Sequence, residues 1–369
     1  MRVLVVNAGS SSLKLALVDA GRRVQAAEIE RWDGAGHLEP VRSFVDSVGT
    51  VDVIGHRVVH GGPRFTEPVR VNEETLDYLD SIEHLAPLHN PRAVAGIRQV
   101  SKLLPDHPAV ACFDTAFHAG MPVEARTYAL PEEWNQRWQL RRYGFHGLSH
   151  AYATRRAAEI LGLPLEGLRI VSCHLGAGAS LAAIRSGRSV DTTMGFTPLS
   201  GLVMATRSGS VDPGLVLWLM EHGGVTLSEL SDALERRSGM KGLSGSSGDL
   251  RDVLAARAAG DADATLAYDV FTHRLRREVG AITASAGGID VLVMTGGIGE
   301  HSTDVRADVV AGLGYLGLAI DPRLNQAGET DLDISTAAAA VRTVVIEARE
   351  DLQVARETES VLRRSVTNS

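Results

Sequence analysis

The chain opens with Met1-Arg-Val-Leu-Val-Val-Asn7-Ala-Gly9-Ser10-Ser11-Ser12-Leu13-Lys14 and continues with the apolar residues 15–18. An apolar run that stops at a Gly/Ser turn and then resumes predicts two strands joined by a tight turn. Backbone N–H groups and hydroxyls in such a turn can approach a phosphate closely, and Lys14 adds positive charge just beyond it. Taken alone, the turn is equally typical of an ordinary hairpin.

The same pattern recurs later in the chain. Residues 169–184 form a second strand-turn-strand pair around His174-Leu-Gly-Ala-Gly178, and each pair is followed by a third predicted strand, at 23–29 and at 188–191. Another glycine loop ends the apolar strand that begins at Val291. Ligands of open α/β sheets bind at strand ends, so this repetition predicts two similar α/β halves facing each other across a nucleotide cleft.

Composition limits the class of protein. The 369 residues are long for one compact domain, so two domains are expected. A net charge of −8 argues against nucleic-acid binding and against an acidic membrane as partner, because both need clustered positive charge. No run is long and apolar enough to predict a signal sequence or a membrane span. We therefore expect a cytoplasmic protein.

The two cysteines, Cys112 and Cys173, lie in apolar runs far apart in the sequence. This predicts buried free thiols in a reducing compartment rather than a disulfide. The chain has no Cys-x-x-Cys or His-Glu-x-x-His pattern, so its spacing predicts no zinc site.

Cap residues predict several helices between the strands, and strands that alternate with helices indicate an α/β fold. The predicted elements are a helix from Asn90, a helix from Ser149 to Gly162, a helix from Asp212 to Gly223, a capping box of Thr226 with Glu229, a long helix over 264–286, a strand over 341–346 and a terminal helix through Leu352.

Short blocks are richer in Arg, His and Asp than their apolar surroundings. They are Gly55-His-Arg-Val-Val-His-Gly-Gly62, Ala86-Pro-Leu-His-Asn-Pro91, Phe113-Asp-Thr-Ala-Phe-His118, Tyr143-Gly-Phe-His-Gly-Leu-Ser-His150 and Thr206-Arg-Ser-Gly209. Together with the opening turn and Gly297-Ile-Gly-Glu300, these blocks closely resemble the acetate kinase family, also called the acetate and propionate kinases. The resemblance runs from Asn7 to the terminal helix.

This resemblance implies a fold of two duplicated ribonuclease-H-like domains, that of the sugar-kinase, heat-shock-chaperone and actin superfamily, with a nucleotide cleft between them. We expect an N-terminal domain of residues 1–118 plus 352–369 and a C-terminal, nucleotide-binding domain of residues 119–351. The resemblance also implies a homodimer.

The implied reaction is direct, in-line and reversible transfer of the γ-phosphoryl group of ATP to acetate, giving acetyl phosphate and ADP with Mg²⁺, or Mn²⁺ in its place. Acetate is already ionised at neutral pH, so it needs no general base. Positioning and neutralisation of charge should dominate.

Four residues match the family's catalytic positions. Arg57 and Arg207 match its two active-site arginines, whose guanidinium forks suit both a carboxylate and a phosphoryl group in transit. His146 matches a histidine that donates to the phosphoryl group, and Asp114 a carboxylate that we expect to orient an arginine or a metal-bound water. The structural alternatives are surface ion pairs for the arginines, a packed core histidine and a turn aspartate.

The resemblance also implies binding residues. Asn7 and Glu350 match magnesium positions, which suits an ion that prefers oxygen ligands. The nucleotide positions are Lys14, His174, Leu175, Gly176, Ala177, Gly178, Asp249, Leu250, Arg251, Gly297, Ile298, Gly299, Glu300 and His301. The positions around the acetate methyl group are Arg57, Val59, Leu88, Phe145 and Pro198.

Four residues depart from those usual in the family. Ala177 and His301 each stand where it usually has Asn, Arg349 replaces the Asn before the metal-binding Glu, and Ser210 replaces an acidic residue. They bear on nucleotide affinity and donor preference. The functional alternatives are a propionate or butyrate kinase and, from another class, a non-catalytic actin-like or chaperone-like ATPase.

Overall fold

The computed structural model describes residues 1–9, 12–30, 32 and 38–367. The chain forms two compact units: unit 1 comprises Met1–Ala119, Phe145–Tyr152 and Arg349–Ser369, and unit 2 comprises Gly120–Gly144 and Ala153–Ala348. Unit 1 thus includes 145–152 and 349–351, which the expected boundaries placed in the C-terminal domain. That each unit is an independent domain stays a prediction.

Unit 1 is built around one sheet. Its described strands are β1 (Arg2–Ala8), β2 (Ser12–Asp19), β3 (Arg22–Glu30), β4 (Val53–Val58), β5 (Val69–Arg70) and β6 (Ala109–Phe113). Its helices are α1 (Glu39–Val48), α2 (Glu73–Ser81), α3 (Asn90–Leu103), the start of α6 (Gly147–Leu161) and α15 (Glu350–Thr367), with 3₁₀ turns at Glu83–Leu85 and Ala116–His118.

Unit 2 is also built around one sheet. Its described strands are β7 (Arg169–Leu175), β8 (Ala179–Arg185), β9 (Arg188–Thr192), β10 (Val291–Thr295), β11 (Leu332–Asp333) and β12 (Arg342–Val345). Its helices, besides the rest of α6, are α4 (Val123–Arg126), α5 (Glu132–Trp138), α7 (Pro213–Glu221), α8 (Leu227–Asp232), α9 (Gly239–Ser244), α10 (Leu250–Ala258), α11 (Ala262–Ala286), α12 (Gly296–His301), α13 (Thr303–Ala311) and α14 (Pro322–Gln326). A π-helical turn lies at Ala233–Arg237 and a 3₁₀ turn at Gly314–Leu316.

The two sheets share one topology. The strand order is β3-β2-β1-β4-β6-β5 in unit 1 and β9-β8-β7-β10-β12-β11 in unit 2. In each sheet the first three strands are antiparallel, the next two run parallel to the central strand, and the last is antiparallel to its neighbour. The repeated order confirms the predicted α/β fold and the duplication read from the two strand-turn-strand pairs.

The sheet of unit 1 is covered on both faces, which explains the unbroken apolar run in β1. Leu4 and Val6 pack with residues of α1 and α3 on one face. Val3 and Val5 pack on the other face with Val354 of α15 and with the start of α6. Functional side chains of unit 1 must therefore lie at strand ends.

Local predictions were mostly confirmed. Helix α3 begins at Asn90, and Thr226 and Glu229 form the predicted capping box. Helix α6 begins at Gly147 rather than Ser149. Ser10 and Ser11, at the tip of the opening turn, lie outside the described residues.

Two of the three segments predicted to be nucleotide-binding loops lie in a helix or at its start, so the prediction of a loop was wrong for them. Gly297–His301 lies in α12, and Leu250 and Arg251 begin α10 with Asp249 as N-cap. The start of a helix offers unpaired backbone N–H groups, as a loop does. Glycine content therefore does not distinguish a loop from the start of a helix.

Candidate functional site

Three predicted site residues lie side by side on the sheet of unit 1. Asn7 on β1 is paired with Lys14 on β2 and with Arg57 on β4, so the three share one row across neighbouring strands. Because paired residues project from the same face of a sheet, this register brings an amide and two cations together. Lys14 is largely exposed, and its ammonium lies 3.7 Å from Glu28.

The Arg57 guanidinium is the centre of this group. It donates from Nε and Nη2 to Oδ1 and Oδ2 of Asp114, at 3.1 and 2.6 Å, and from Nη1 to Oδ1 of Asn7 at 3.1 Å. The carboxylate of Glu350, at the start of α15, lies 3.5 Å from Nε. These contacts use three of the five N–H groups of the guanidinium, which leaves one on Nη1 and one on Nη2 for another acceptor.

Burial and charge set the protonation of this cluster. The Asp114 side chain is 1% exposed. Burial raises the pKa of Asp114 to about 6, and the ion pair with Arg57 limits the rise. Burial alone would lower the pKa of Arg57, but Asp114 and Glu350 outweigh it and raise that pKa. Arg57 therefore stays charged, and its pair with Asp114 is ionised at neutral pH.

A close backbone contact places His146 beside Asp114. Gly147 donates its N–H to the carbonyl of Asp114 at 2.9 Å. A Cβ at position 147 would come within 2.2 Å of that oxygen, so only glycine fits. His146, the residue before it, is half-buried and has a left-handed φ of 56°, a conformation that costs free energy in a residue other than glycine. Two predicted catalytic residues thus lie on segments that touch.

The predicted acyl-pocket residues are divided between the units. Val59 and Phe145 are buried in unit 1, and the Phe145 ring packs edge-on against His60 at 5.6 Å. Leu88 is 46% exposed, which is unusual for a large apolar residue. Pro198 belongs to unit 2, where its carbonyl accepts a hydrogen bond from Nη1 of Arg207 at 2.7 Å.

Arg207 has no carboxylate partner within ion-pair distance in the described part of the chain. Burial lowers its pKa, and the charge of Glu235 partly offsets this effect. A partly buried guanidinium without a counter-ion attracts an anionic ligand, because the ligand would restore the lost charge interaction.

A cavity of about 680 Å³ lies in unit 2. Eight of the predicted nucleotide residues line it: Gly176, Ala177, Asp249, Leu250, Arg251, Gly297, Ile298 and His301. Its walls are mainly apolar, with a few polar groups, as expected of a site for a base and ribose.

Five other predicted nucleotide residues of unit 2 do not line this cavity: His174, Leu175, Gly178, Gly299 and Glu300. Sequence reasoning also missed five that do: Ala205, Thr206, Gly248, Leu254 and Ser302. Two of these have a local signal. Thr206 precedes Arg207 in a block already singled out, and Leu254 lies one helical turn after Leu250 on α10.

Two residues that line this cavity, Asp249 and Arg251, pair with each other. Nη2 of Arg251 lies 2.5 Å from Oδ2 of Asp249, and the backbone N–H of Arg251 also bonds to this carboxylate. The two hydrogen bonds hold the pKa of Asp249 at about 2. Because the Arg251 side chain is 88% exposed, the pair contributes little to stability and leaves the arginine accessible to an anion.

The duplication shows how the two units differ. The pair Asn7 and Arg57 in unit 1 corresponds by register to His174 and Thr295 in unit 2. Unit 2 thus has no arginine at this strand end, although a small-residue turn follows the first strand of the sheet in both units.

Within the described residues, no three His, Cys, Asp or Glu side chains group as a metal site, and no helix is long and apolar enough to cross a membrane.

Comparisons with known proteins are consistent over the whole chain. The profile of the acetokinase family matches residues 38–356. An acetate kinase of Synechococcus sp. (strain JA-2-3B'a(2-13)) is 46% identical, covering 98% of this chain and 100% of the relative. An acetate kinase of Geobacillus kaustophilus is 43% identical, covering 96% and 98%.

Solved structures agree with this result. The crystal structure of Porphyromonas gingivalis acetate kinase has a TM-score of 0.91 at 36% identity and covers 98% of this chain and 99% of its own. A propionate kinase from Francisella tularensis has a TM-score of 0.90 at 35% identity, with the same coverage.

Proposed function

The chain belongs to the acetokinase family, and from that premise we propose that it is an acetate kinase, which transfers the γ-phosphoryl group of ATP reversibly to acetate. The observation that carries the proposal is Arg57, a guanidinium held by Asp114 and Asn7 with two N–H groups left for an anion. Formation of acetyl phosphate that depends on both acetate and ATP is the test.

The proposed chemistry follows from the charges of the reactants. Acetate is an anion that must approach a polyanionic phosphate chain, so repulsion between them is the main obstacle. The remaining N–H groups of Arg57 would bind a carboxylate or phosphoryl oxygen in a two-point contact. Asp114 fixes the plane of the guanidinium, and it has no proton to remove because acetate arrives ionised.

Arg207 and His146 have supporting roles in this proposal. Arg207 has no carboxylate partner in the described chain, so its charge is available to the group being transferred. His146 would donate an N–H to a phosphoryl oxygen, which either ring tautomer can do. Its left-handed backbone, fixed by the contact of Gly147 with Asp114, holds it in place before substrate binds.

Magnesium fits the residues of unit 1. The oxygens of Asn7 and Glu350 both converge on Arg57, and hard oxygen donors are what Mg²⁺ or Mn²⁺ prefers. Asp114 and Glu350 bring two carboxylates to the cluster, and carboxylates attract a divalent cation. When bound with ATP, the ion would neutralise phosphate charge; Asn7 and Glu350 are the residues that would hold it.

The nucleotide is assigned to unit 2. The family implies ATP and ADP as substrates, and the apolar cavity beside Gly176 and Ala177 suits an adenosine group. The small residues of the turn at 176–178 allow backbone N–H groups to approach the phosphates. Lys14 stays a proposed nucleotide-binding residue on the strength of the resemblance.

The residues proposed to contact the acetate methyl group, carried over from the family one by one, are Val59, Leu88, Phe145 and Pro198. One methylene changes binding by about 1–3 kcal/mol in an apolar pocket, so propionate is expected to be a poorer substrate rather than a rejected one. The similarity to a solved propionate kinase keeps that acid as the second candidate acceptor, and butyrate as a less favoured one.

We also propose that the enzyme works as a cytoplasmic homodimer. Both cysteines are buried and free, as expected in a reducing compartment. Helix α7 is apolar on every side, yet none of its residues is buried. Such a helix is normally covered, and a second copy offers the same apolar face across a two-fold axis.

A non-catalytic actin-like ATPase would share the strand topology and the nucleotide cavity. It has no use for a guanidinium held by two carboxylates at the end of β4 or for an acyl pocket. Transfer to acetate distinguishes the two classes directly.

A further inference from the structure

Two buried charged side chains hold helix α12, which contributes Gly297, Ile298 and His301 to the nucleotide cavity. They are Glu300, 7% exposed, and Arg306 of α13, 2% exposed. Neither lines the cavity. Glu300 was expected to bind nucleotide, and Arg306 was not singled out from the sequence at all.

Arg306 bonds to the end of α12. Its Nη1 donates to the carbonyls of Gly299 and Glu300, at 3.0 and 2.7 Å. Its Nε and Nη2 donate to the side-chain and backbone oxygens of Asn325, at 2.7 and 2.8 Å, so the guanidinium is itself anchored to α14. A cation at the C-terminal carbonyls of a helix complements their partial negative charge.

The acceptors of Arg306 are all neutral. Burial lowers its pKa, and no carboxylate lies within ion-pair distance of it in the described chain. Burying a guanidinium without a counter-ion costs free energy that its hydrogen bonds only partly recover. Fixing the geometry of α12 is a function that explains why such a group occupies this position.

Glu300 connects α12 to a second segment of the chain. Its carboxylate accepts a hydrogen bond from the backbone N–H of Ala348 at 3.0 Å. Ala348 lies two residues before Glu350, the proposed magnesium ligand. Glu300 therefore links the helix at the nucleotide cavity to the chain segment that leads into α15.

The helix needs this support. It has only six residues, and three of them, Gly296, Gly297 and Gly299, are glycines. A helix this short and rich in glycine is unstable alone. The glycine at 296 cannot be replaced to stiffen it, because φ is +77° and a Cβ would lie 2.7 Å from the carbonyl oxygen of Leu175.

We propose that Arg306 and Glu300 are positioning residues that pre-organise α12 for the nucleotide. This inference rests on the proposed function. If α12 is fixed before ATP binds, the nucleotide does not have to order it, and affinity is higher by the ordering free energy saved.

The test is direct binding of ADP, measured by calorimetry, in the variants Arg306→Met and Arg306→Lys. We expect the Kd for ADP to rise about tenfold or more in Arg306→Met and less in Arg306→Lys, which can still donate to the α12 carbonyls. The KM for ATP should rise in parallel, with the KM for acetate unchanged. Arg342→Met is the matched control, since Arg342 is a half-buried arginine of unit 2 bonded to Asp333 and Thr336.

Equal ADP affinity in wild type and Arg306→Met, or an equal loss in Arg342→Met, would overturn the inference. Failure of the wild-type protein to bind ADP would instead overturn the proposed function, so the two failures are distinguishable. If Arg306→Met does not fold, Glu300→Met is decisive. Met keeps the length of the side chain but cannot accept the N–H of Ala348, so the Kd for ADP should still rise severalfold, and an unchanged Kd refutes the proposal.

Discussion

Arg57 and Asp114 form a two-point ion pair, with Nε–Oδ1 and Nη2–Oδ2 distances of 3.1 and 2.6 Å. The pair joins the end of β4 to the residue that follows β6, and Asp114 is almost fully buried. Because both oxygens of the carboxylate are used, the guanidinium has one orientation, with its remaining N–H groups directed elsewhere.

The first prediction tests the orienting role of Asp114. The variant Asp114→Asn keeps the size of the side chain but presents an NH₂ group to an N–H donor, so Arg57 loses its fixed plane. We expect kcat to fall about 10²-fold or more, without a pH profile controlled by deprotonation of acetate. Steady-state kinetics from pH 6 to 9 measure this. Asp80→Asn, which breaks the exposed pair with Arg98, is the control.

An activity of Asp114→Asn close to that of wild type, in a folded protein, would show that Arg57 does not depend on Asp114. Circular dichroism and thermal melting separate this outcome from loss of structure. Removing one partner of a buried ion pair can cost about 3–5 kcal/mol of stability, so melting must be measured before kinetics.

Ala177, on the wall of the nucleotide cavity, provides the second prediction. An Asn at this position would supply a side-chain N–H donor to the phosphates, and a new hydrogen bond to a charged group contributes about 1.5–3 kcal/mol. We expect Ala177→Asn to tighten ADP binding by about tenfold. Titration calorimetry measures it, with Ala311→Asn at the exposed end of α13 as control. An unchanged affinity would mean that another group already donates hydrogen bonds to these phosphate oxygens.

The third prediction concerns acid stability. His56 on β4 is 2% exposed, its Nε2 has no hydrogen-bond partner in the described structure, and burial lowers its pKa to about 3. The unfolded chain binds a proton near pH 6.5, whereas the folded chain does not. Above pH 6.5, His56 therefore does not lower the free energy of unfolding. At pH 5 it lowers this free energy by about 2 kcal/mol.

Urea unfolding should show that the free energy of unfolding falls less between pH 7.5 and pH 5 in His56→Phe than in wild type. Val6→Ala is the control, because Val6 is paired with His56 across the sheet and has no titrating group. The stability of Val6→Ala should be lower than that of wild type by the same amount at both pH values. The same pH dependence in His56→Phe and wild type would exclude this histidine as a cause.

The exposed apolar helix α7 gives the fourth prediction. Leu217 and Trp218 are 59% and 55% exposed. If a second copy covers this face, Leu217→Glu places a charge in an apolar contact and should produce monomers at micromolar concentration. Sedimentation velocity measures this, and Tyr315→Glu, at a residue 75% exposed on another segment, is the control. A wild-type monomer, or a Leu217→Glu dimer, would contradict the proposed interface.

The fold was predictable because its signals are local. The apolar run of β1, the Gly/Ser turn and the second copy at 169–184 were enough to predict paired strands and their duplication. The cap at Thr226 gave a correct helix start, since a cap is a property of neighbouring residues. The start at Asn90 was also correct, but Pro91 explains it rather than a cap, because the Asn90 side chain bonds to the backbone of His60.

The site was predictable only in part. The row formed by Lys14, Asn7 and Arg57 depends on strand register, which no local pattern specifies. Arg306 escaped notice because an arginine in a helix is normally a surface residue, and its burial depends on the packing of α13 and α14. Glycine content predicted a loop at Gly297–His301, where hydrogen bonds from Arg306 instead stabilise a helix.

The central claim is transfer of phosphoryl to acetate by the Arg57 site. The most direct measurement incubates the protein with MgATP, acetate and hydroxylamine and records acetyl hydroxamate. We expect hydroxamate only when acetate and ATP are both present, with a loss of about 10³-fold in Arg57→Ala and none in Arg98→Ala. A folded wild-type protein that forms no acetate-dependent hydroxamate would contradict the account.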